Sequence, residues 1–350
     1  MTDLAEITRK LTTHANLSRT EVGAAVSALL DATVTDDVKA EFLAALTQKG
    51  ETAEEIAAFA RELRARAVDP QIDAADFGGV LLDIVGTGAD MAHTFNISSC
   101  TMFVAAAAGV AVAKHGNRAA TSKCGSADVL AALGARIDLP PAAARRCLEE
   151  AGVTFFFAPA YHPAFKTVAS VRKKLAERSQ RTVFNILGPL VNPARPTHQL
   201  VGVFDRALVE RYAEVLRLLE LKHAFVVHGD GLDEFSTMGV NTVAELWGGR
   251  IELTERDYRV PSSELRLMPV QPYELAGDDP ATNANIVHEV LSGKHRGPRR
   301  DIVLLNAAAA LVVAGKADDF GRGWQMAAEL IDSGAAAHKL ARFVETSNRV

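Results

Sequence analysis

The sequence predicts an α/β protein with a small all-helical lobe and a larger α/β domain, in which a mostly parallel central sheet is flanked by helices. Two observations lead to this prediction. Residues 1–70 contain helix signals only, whereas beyond Pro70 short apolar runs typical of strands alternate with helical segments. Alternation of this kind favours parallel strands joined by crossover helices. With 350 residues and 48% hydrophobic content, the chain is long enough to bury a substantial core.

The N-terminal lobe is predicted from helix-capping patterns. A hydroxyl residue stands three positions before a glutamate at Ser18–Glu21 and again at Thr52–Glu55, which is the capping-box pattern of a helix start. Between them, apolar residues recur at helical spacing over 38–46, and Gly50 is placed to end that helix.

The strands of the second domain are predicted from apolar runs bounded by turn residues. The predicted strands are 79–85, 110–113, 153–158, 200–204 and 224–229. The predicted helices are 98–109, 125–134, 207–220, 301–314 and 335–345. Residues 245–253 are expected to form a hairpin that adds an antiparallel edge to the sheet.

The helical segment 160–192 interrupts this alternation. We expect it to leave the sheet and pack with the N-terminal helices, so that the lobe is discontinuous in sequence. The predicted division is therefore a helical lobe of residues 1–70, joined by helices from about 160–192, and an α/β domain of residues 71–350.

Composition and charge argue against several classes of protein. The net charge of −5 and the pI of about 6.1 disfavour a nucleic-acid-binding protein that relies on overall basicity. Cys100, Cys124 and Cys147 lie far apart, as expected for reduced thiols in a cytoplasmic protein. The N-terminus carries charges where a signal peptide needs an apolar segment, and no apolar run approaches the length of a membrane span. We therefore expect neither a nucleic-acid nor a membrane partner.

A candidate phosphate-binding turn, GTGAD at 86–90, follows the first predicted strand. It does not match the dinucleotide fingerprint, which needs glycine at the position of Met91, nor the nucleotide-binding loop that ends in Gly-Lys-Ser/Thr. Downstream, Ser98 and Ser99 stand at a predicted helix start, where free backbone N–H groups and the helix dipole favour an anion. The same glycines also fit a plain tight turn between a strand and a helix.

Two further polar clusters follow later strands. Residues 114–128 interleave basic residues with glycine, asparagine and hydroxyl residues, which suits wrapping of a phosphate; a solvated basic loop is the alternative. Residues 229–236 place Asp233 beside Glu234, and adjacent carboxylates in a loop can hold Mg²⁺ through oxygen; an ordinary acidic turn is the alternative. Taken together, the three clusters favour a site for a polyphosphate and its metal at the strand ends.

These motifs, in this order, closely resemble those of the anthranilate phosphoribosyltransferases, within the wider group that includes the pyrimidine nucleoside phosphorylases. The resemblance covers nearly the whole chain. It is carried by GTGAD (86–90), FNISS (95–99), KHGNR (114–118), GSADVL (125–130), FNILGPLVNP (184–193) and DGLDE (230–234). It implies Mg²⁺-dependent transfer of the phosphoribosyl group from 5-phosphoribosyl 1-diphosphate (PRPP) to the amine of anthranilate, in tryptophan biosynthesis. It also implies a homodimer joined through the helical lobe.

The resemblance implies roles for individual residues. Those matching PRPP-binding positions are Gly86, Gly88, Ala89, Asp90, Thr94, Asn96, Ile97, Ser98, Ser99, Lys114, His115, Gly116, Asn117, Arg118, Ala119, Ala120, Thr121, Ser122 and Ser126. Those matching anthranilate-binding positions are Gly86, His115, Asn117, His162, Pro163, Arg172 and Gly188. Those matching magnesium positions are Ser98, Asp233 and Glu234.

The implied chemistry needs no covalent nucleophile and no clear acid or base among these residues. Catalysis would rest on positioning and electrostatics, with Arg172 paired to the anthranilate carboxylate. Three features depart from the family pattern. Ala89 stands where a glycine is usual, Thr121 replaces a usual serine, and 175–181 is about three residues longer than usual, beside the anthranilate channel.

Two other functions remain compatible with the sequence. A pyrimidine nucleoside phosphorylase shares the architecture but uses orthophosphate and a nucleoside. A non-enzymatic nucleic-acid-binding relative would carry a basic groove, for which 294–300 is the only dense basic run, and it need not keep the Asp233–Glu234 pair.

Overall fold

Four helices precede a seven-stranded sheet with helices on both faces, which confirms the predicted fold class. The structure is a computed structural model that describes residues 3–88, 92–119, 123–259, 265 and 267–349. The α-helices in these ranges are α1 Leu4–Thr12, α2 Arg19–Leu29, α3 Asp36–Lys49, α4 Ala53–Arg64, α5 Ile97–Ala107, α6 Ser126–Ala132, α7 Pro141–Ala151, α8 Ala158–Tyr161, α9 Ala169–Glu177, α10 Phe184–Leu187, α11 Val209–Leu218, α12 Pro280–Leu291, α13 Pro298–Val313, α14 Phe320–Asp332 and α15 Ala335–Ser347. The strands are β1 Leu81–Gly86, β2 Ala111–Gly116, β3 Val153–Phe157, β4 His198–Gly202, β5 His223–Gly229, β6 Asn241–Trp247 and β7 Arg250–Arg256.

The N-terminal helices begin and end at the predicted capping residues. Ser18 caps α2 and Thr52 caps α4, and in both cases the glutamate three residues later accepts a hydrogen bond from the backbone of the capping residue. Gly50 ends α3 with a φ of +84°, a backbone conformation that glycine adopts without strain. Both predicted capping boxes are therefore confirmed.

The segment 160–192 packs with the N-terminal helices. It contains a 3₁₀ turn at Pro163–Val168, followed by α9, α10 and a second 3₁₀ turn at Gly188–Leu190. Val168, Val171 and Leu175 are buried in the same hydrophobic core as α1–α4 and α11. The division of the chain into two domains near residue 70 stays a prediction.

The sheet has the strand order β3-β2-β1-β4-β5-β6-β7. The first five strands in this order are parallel, and β6 and β7 form the predicted antiparallel edge hairpin. The order reverses between β1 and β4, so the connections that leave these two strands diverge. A crevice at the carboxyl ends of two such strands is the usual ligand site of an open α/β sheet.

Two sequence-based expectations need correction. The strand predicted at 110–113 continues through Gly116, and Lys114, His115 and Gly116 pair in register with β3 instead of starting a loop. The strand tolerates a lysine because the buried Lys114 ammonium donates to the carbonyl of Ile84 and to Ser98 Oγ. The prediction also omitted α7, α12 and α14. No helix in the described ranges is long and apolar enough to cross a membrane.

A matched pair of threonines tests the role of helix capping in the lobe. Thr52 and Thr35 both occupy N-cap positions, but only the Thr52 hydroxyl accepts a capping hydrogen bond. Thr52→Ala should therefore lower the free energy of unfolding by about 1 kcal/mol, whereas Thr35→Ala should change it little. Urea denaturation of the two variants measures the difference, and equal losses would contradict it.

Candidate active site

The carboxyl ends of β1 and β4 carry two glycines side by side, Gly86 and Gly202, which are partners in the sheet register. The loop after β5 crosses directly over them. A Cβ atom on Gly202 would overlap the main chain of Asp233, with the Asp233 Cα only 2.8 Å away. A Cβ on Gly86 would lie 2.8 Å from Asp233 Cγ. Only glycine at both positions allows the acidic loop to lie this close to the sheet.

The GTG turn is held against this loop by hydrogen bonds. The backbone N–H of Gly88 donates to Asp233 Oδ2 at 2.6 Å, and Gly88 has a φ of +69°. Thr87 N–H donates to the carbonyl of Gly202 at 3.0 Å, and Thr87 Oγ1 accepts from Phe204 N–H at 3.0 Å. The predicted turn therefore meets the predicted acidic loop. Ala89 and Asp90, predicted as site residues, lie outside the described residues.

The start of α5 faces the same region. Ser98 is half-buried and its Oγ lies 3.1 Å from the Lys114 ammonium, whereas Ser99 is fully buried. The predicted amide donor of Asn96 is already engaged, because Asn96 Nδ2 donates to the carbonyl of Cys124 at 3.2 Å. Asn96 therefore ties α5 to the loop before α6. Ile97 is buried in the core, and Thr94 forms an isolated bridge with Ala276.

Lys114 is the buried cation of the site. Burial lowers its pKa, while Asp83, Glu234 and Asp233 all act in the opposite direction. Asp83 on β1 is fully buried, and burial raises its pKa to about 6. Its carboxylate accepts from Asn192 Nδ2 at 2.9 Å and from the His115 N–H at 3.3 Å. Three acidic groups thus act on one buried ammonium.

The loop after β2 is organised by Asp128, which lies on α6. Its carboxylate accepts from the N–H groups of Ala119 (2.8 Å) and Gly125 (3.0 Å) and from Arg118 Nη1 (2.7 Å). The Arg118 side chain is therefore paired with Asp128 and exposed. Asn117 is exposed at the strand end. Ala120, Thr121 and Ser122 lie outside the described residues.

Gly116 and Ser126 pack against each other at the base of this loop. A Cβ at Gly116 would lie 2.8 Å from the Phe155 ring and would overlap Ser126 Oγ. Ser126 Oγ is also 3.4 Å from the carbonyl of Asn117. The small residue at 116 thus lets the first turn of α6 approach β2.

Four rings form a continuous series from β2 to α10, which we call the aromatic track: His115, His162, Phe165 and Phe184. Successive ring centroids are 5.3, 4.8 and 5.9 Å apart. The guanidinium of Arg172 lies over the last ring at 5.2 Å. The structure therefore joins the predicted anthranilate residues on β2, before α9 and on α9 into one packed series of side chains.

Both histidines of the aromatic track are neutral at pH 7. Burial lowers the pKa of His115 to about 3 and that of His162 to about 4. His115 Nδ1 donates to the carbonyl of Gly188 at 3.1 Å, and His162 Nε2 donates to the carbonyl of Val191 at 2.9 Å. His115 Nε2 is buried and makes no hydrogen bond with the described residues. Gly188 and Pro163 are exposed at the same end.

Arg172 is exposed, and partial desolvation by the surrounding protein lowers the pKa of its guanidinium. It makes no ion pair with any carboxylate in the described ranges. A partly desolvated arginine without a protein counter-ion is suited to bind an anionic group from outside.

The residues predicted for magnesium do not form a complete cage. No group of three or more His, Cys, Asp or Glu side chains suited to a metal occurs in the described part of the chain. Asp233 and Glu234 instead supply two adjacent carboxylates that act on Lys114, with Ser98 beside that lysine. This donor set fits a hard cation that takes its remaining oxygens from a bound phosphate and from water.

Sequence reasoning missed several residues that build the site. Asp83 acts on Lys114 through its charge and is itself held by a hydrogen bond from Asn192, whereas Asp128 holds the following loop by hydrogen bonds. An acid inside an otherwise apolar run was the one available signal for Asp83. A surface groove of about 690 Å³, lined by Trp247, Arg256 and Phe320 among others, contains none of the predicted site residues.

The chain matches both domains of a glycosyl transferase family. Models of a glycosyl transferase family match two parts of the chain, the helical bundle domain at 5–67 and the a/b domain at 78–337. The chain is 45% identical to an anthranilate phosphoribosyltransferase of Desulfosudis oleivorans, with 96% of each chain covered. The enzyme of that name from Thermus thermophilus is 38% identical, with a TM-score of 0.88 over 97% of this chain and 99% of that one.

The yeast enzyme has been solved with ligands. Anthranilate phosphoribosyltransferase from Saccharomyces cerevisiae in complex with PRPP and Mg is 29% identical, with a TM-score of 0.87 over 99% of this chain and 98% of that one. The same yeast enzyme in complex with 4-fluoroanthranilate has a TM-score of 0.84 at 28% identity over the same shares. The chain described here is an enzyme that belongs to the family of anthranilate phosphoribosyltransferases, as the sequence motifs predicted.

The close approach of Asp233 to Gly86 gives a test of the glycine pair. Gly86→Ala should force the acidic loop away from β1 and lower the free energy of unfolding by about 1–3 kcal/mol, as overpacking does. Gly23→Ala in α2 is the control, because the nearest atom, Glu62 Cδ, is 3.5 Å from the new methyl group. Gly23→Ala should raise the free energy of unfolding slightly. Equal stability of Gly86→Ala and wild type in chemical denaturation would show that the loop is free to move.

The neutral histidines predict a pH dependence of stability. The pKa values of His115 and His162 are lower in the folded state than the ordinary value of 6.5, so the unfolded chain binds more protons below pH 6.5. Stability should therefore be retained above pH 6.5 and fall as the pH drops toward 4. Asp83 has the opposite effect on stability. Its pKa of about 6 exceeds the ordinary 3.8, so the folded state binds more protons and is stabilised as the pH falls from about 6 to 3.8.

From these three groups the expected loss of stability between pH 7.5 and 5 is roughly 1–3 kcal/mol. Burial also lowers the pKa of His198 to about 4, which adds to the loss in the same direction. Urea denaturation at both pH values measures it. His162→Asn removes one of the titrating groups and should flatten the dependence, whatever its effect on stability at pH 7.5. An unchanged slope in this variant would contradict the assignment of a low pKa to His162.

Proposed function

We propose that this enzyme transfers the phosphoribosyl group of PRPP to the amine of anthranilate, with release of pyrophosphate and use of Mg²⁺, as a step of tryptophan biosynthesis. The observation that carries the proposal is the meeting of Asp233, the Gly88 N–H and Lys114 at the point where the strand order reverses. The yeast relative solved with PRPP and Mg supports it.

PRPP is proposed to lie over the GTG turn and the start of α5. The half-buried Ser98 hydroxyl, the N–H groups of the first turn of α5 and the Lys114 ammonium are donors suited to phosphate oxygens. Asp128 keeps the Ala119 and Gly125 backbone fixed at the other side of the pocket. The remaining predicted PRPP residues in these segments keep the roles assigned from the family resemblance.

Asp233, Glu234 and Ser98 are the proposed magnesium ligands. Bound Mg²⁺ would neutralise charge that develops on the departing pyrophosphate. Lys114 adds a fixed positive charge next to the same position, and the buried Asp83 holds that charge in place without approaching the substrate.

Anthranilate is proposed to enter along the aromatic track. Its ring would pack against His115 and His162, while Arg172 pairs with the carboxylate and Asn117, Gly86, Pro163 and Gly188 line the path. Because both histidines are neutral, they provide apolar walls and no proton at pH 7. The yeast relative solved with 4-fluoroanthranilate supports an aromatic acid as the acceptor.

The remaining proposals concern organisation and location. We propose a homodimer joined through the helical lobe, a division into the lobe (1–70 with about 160–192) and the α/β domain (71–350), and a cytoplasmic location. Size-exclusion chromatography with light scattering tests the first of these.

The activity is tested with purified protein, PRPP, Mg²⁺ and anthranilate. Loss of anthranilate fluorescence and release of pyrophosphate should occur together and should both require Mg²⁺. Pyrophosphate release that is independent of anthranilate, or phosphorolysis of a pyrimidine nucleoside in its place, would overturn the proposal.

Arg172→Ala should weaken anthranilate specifically. Loss of one hydrogen bond to a charged group costs about 1.5–3 kcal/mol, which corresponds to roughly a 10- to 150-fold rise in the KM for anthranilate. Lys173→Ala, the next residue on α9 and also exposed, is the matched control and should leave this KM unchanged. Steady-state kinetics with each substrate varied in turn measures both KM values. An unchanged anthranilate KM in Arg172→Ala would show that the carboxylate of anthranilate binds elsewhere.

A further inference from the structure

Lys39 on α3 is a buried lysine in a helical lobe that is remote in sequence from the site. The residue is only 1% exposed, although lysine is rarely buried without an acidic partner. Its ammonium donates to two backbone carbonyls, Asp31 at 2.7 Å and Thr167 at 3.3 Å. It makes no ion pair within the described ranges. The contact therefore links the turn before α3 to the last residues before α9.

The segment that leads into α9 has few other attachments. Between 163 and 177 only Val168, Val171 and Leu175 are buried among the described residues. Beyond the apolar packing of these three residues, the other polar contacts with α3 are exposed: Asp36 accepts a hydrogen bond from Ser170 and lies 3.3 Å from Lys174 Nζ. Exposed ion pairs of this kind contribute little. Lys39 is thus the buried polar contact between α3 and this segment.

Arg172 lies on the first turns of α9, five residues after Thr167. Its guanidinium is placed over Phe184, and its backbone position depends on where α9 begins. Thr167 Oγ1 also lies 3.4 Å from the carbonyl of Leu29, so the same residue touches the end of α2. A shift of this attachment would move Arg172 relative to the aromatic track.

We propose that Lys39 is a positioning residue for the aromatic substrate: its buried ammonium fixes the start of α9 and, through it, the guanidinium of Arg172. The proposal rests on the proposed function, since it takes Arg172 as the group that binds the anthranilate carboxylate. Replacement of Lys39 should therefore affect anthranilate binding without touching PRPP.

Lys49 offers a matched control on the same helix. Its side chain is 3% exposed, and its ammonium donates to the Gly50 carbonyl at 2.7 Å and to Glu55 at 2.8 Å, so its contacts stay within the lobe. Lys49→Met should lower stability and leave both KM values unchanged. If Lys39 only stabilised the lobe, Lys39→Met would behave in the same way.

The test compares wild type, Lys39→Met, Lys49→Met, Arg172→Ala and the Lys39→Met/Arg172→Ala double variant. Lys39→Met should raise the anthranilate KM about threefold to tenfold, the equivalent of one lost hydrogen bond, with kcat and the PRPP KM unchanged. In the Arg172→Ala background the same substitution should add nothing further. Fully additive effects of the two substitutions on the anthranilate KM, or an unchanged anthranilate KM in Lys39→Met, would overturn the proposal. Lys39→Gln, which keeps a donor, replaces the methionine variant if that one does not fold.

Hydrogen exchange of the same proteins gives a readout that does not need activity. Amides of 163–177 should exchange faster in Lys39→Met than in Lys49→Met at equal global stability. If wild type fails to use anthranilate, the proposed function falls, while this measurement still decides whether Lys39 fixes α9. Equal exchange in the two variants would contradict the positioning role.

Discussion

The site depends on the close approach of one acidic loop to two glycines. Gly86 and Gly202 end adjacent parallel strands at the point where the strand order reverses, and the main chain of Asp233 lies against both. A side chain at either position would occupy the space of Asp233. Because the strand connections diverge there, this is also where a crevice opens. The Gly88 N–H bonded to Asp233 then joins the GTG turn, the acidic loop and the sheet into one unit.

The electrostatics follow from that arrangement. Lys114 is buried, and Asp83, Glu234 and Asp233 all act on its charge, so a fixed ammonium lies at the centre of three acidic groups. The aromatic track has the opposite character, because its two histidines are neutral and its rings are packed. The charged part of the candidate site, which suits a polyphosphate, thus adjoins an apolar part that suits an aromatic ring. Arg172 lies at the far end of the apolar part, over Phe184.

The sequence predicted most of the architecture because its signals were local. Capping boxes at Ser18 and Thr52, and alternation of apolar runs with helices, follow from hydrogen bonding and periodicity within a few residues. The end of β2 was misplaced because Lys114 resembled a loop residue; the carbonyl and hydroxyl that satisfy it come from Ile84 and Ser98. Likewise, the links of Asp128 to the phosphate loop and of Lys39 to Thr167 join residues that no local pattern relates.

In the proposed function, Asp233 and Glu234 attract a metal complex of the substrate to the glycine pair. Calorimetric titration of PRPP into wild type and into the Asp233→Asn/Glu234→Gln variant, with and without Mg²⁺, tests it without reference to turnover. The carboxylates repel free PRPP and attract its magnesium complex. Wild type should therefore bind PRPP more tightly when Mg²⁺ is present, and the variant should bind it equally well in both conditions. A variant that keeps the full magnesium dependence of wild type would show that the two carboxylates do not attract the metal complex.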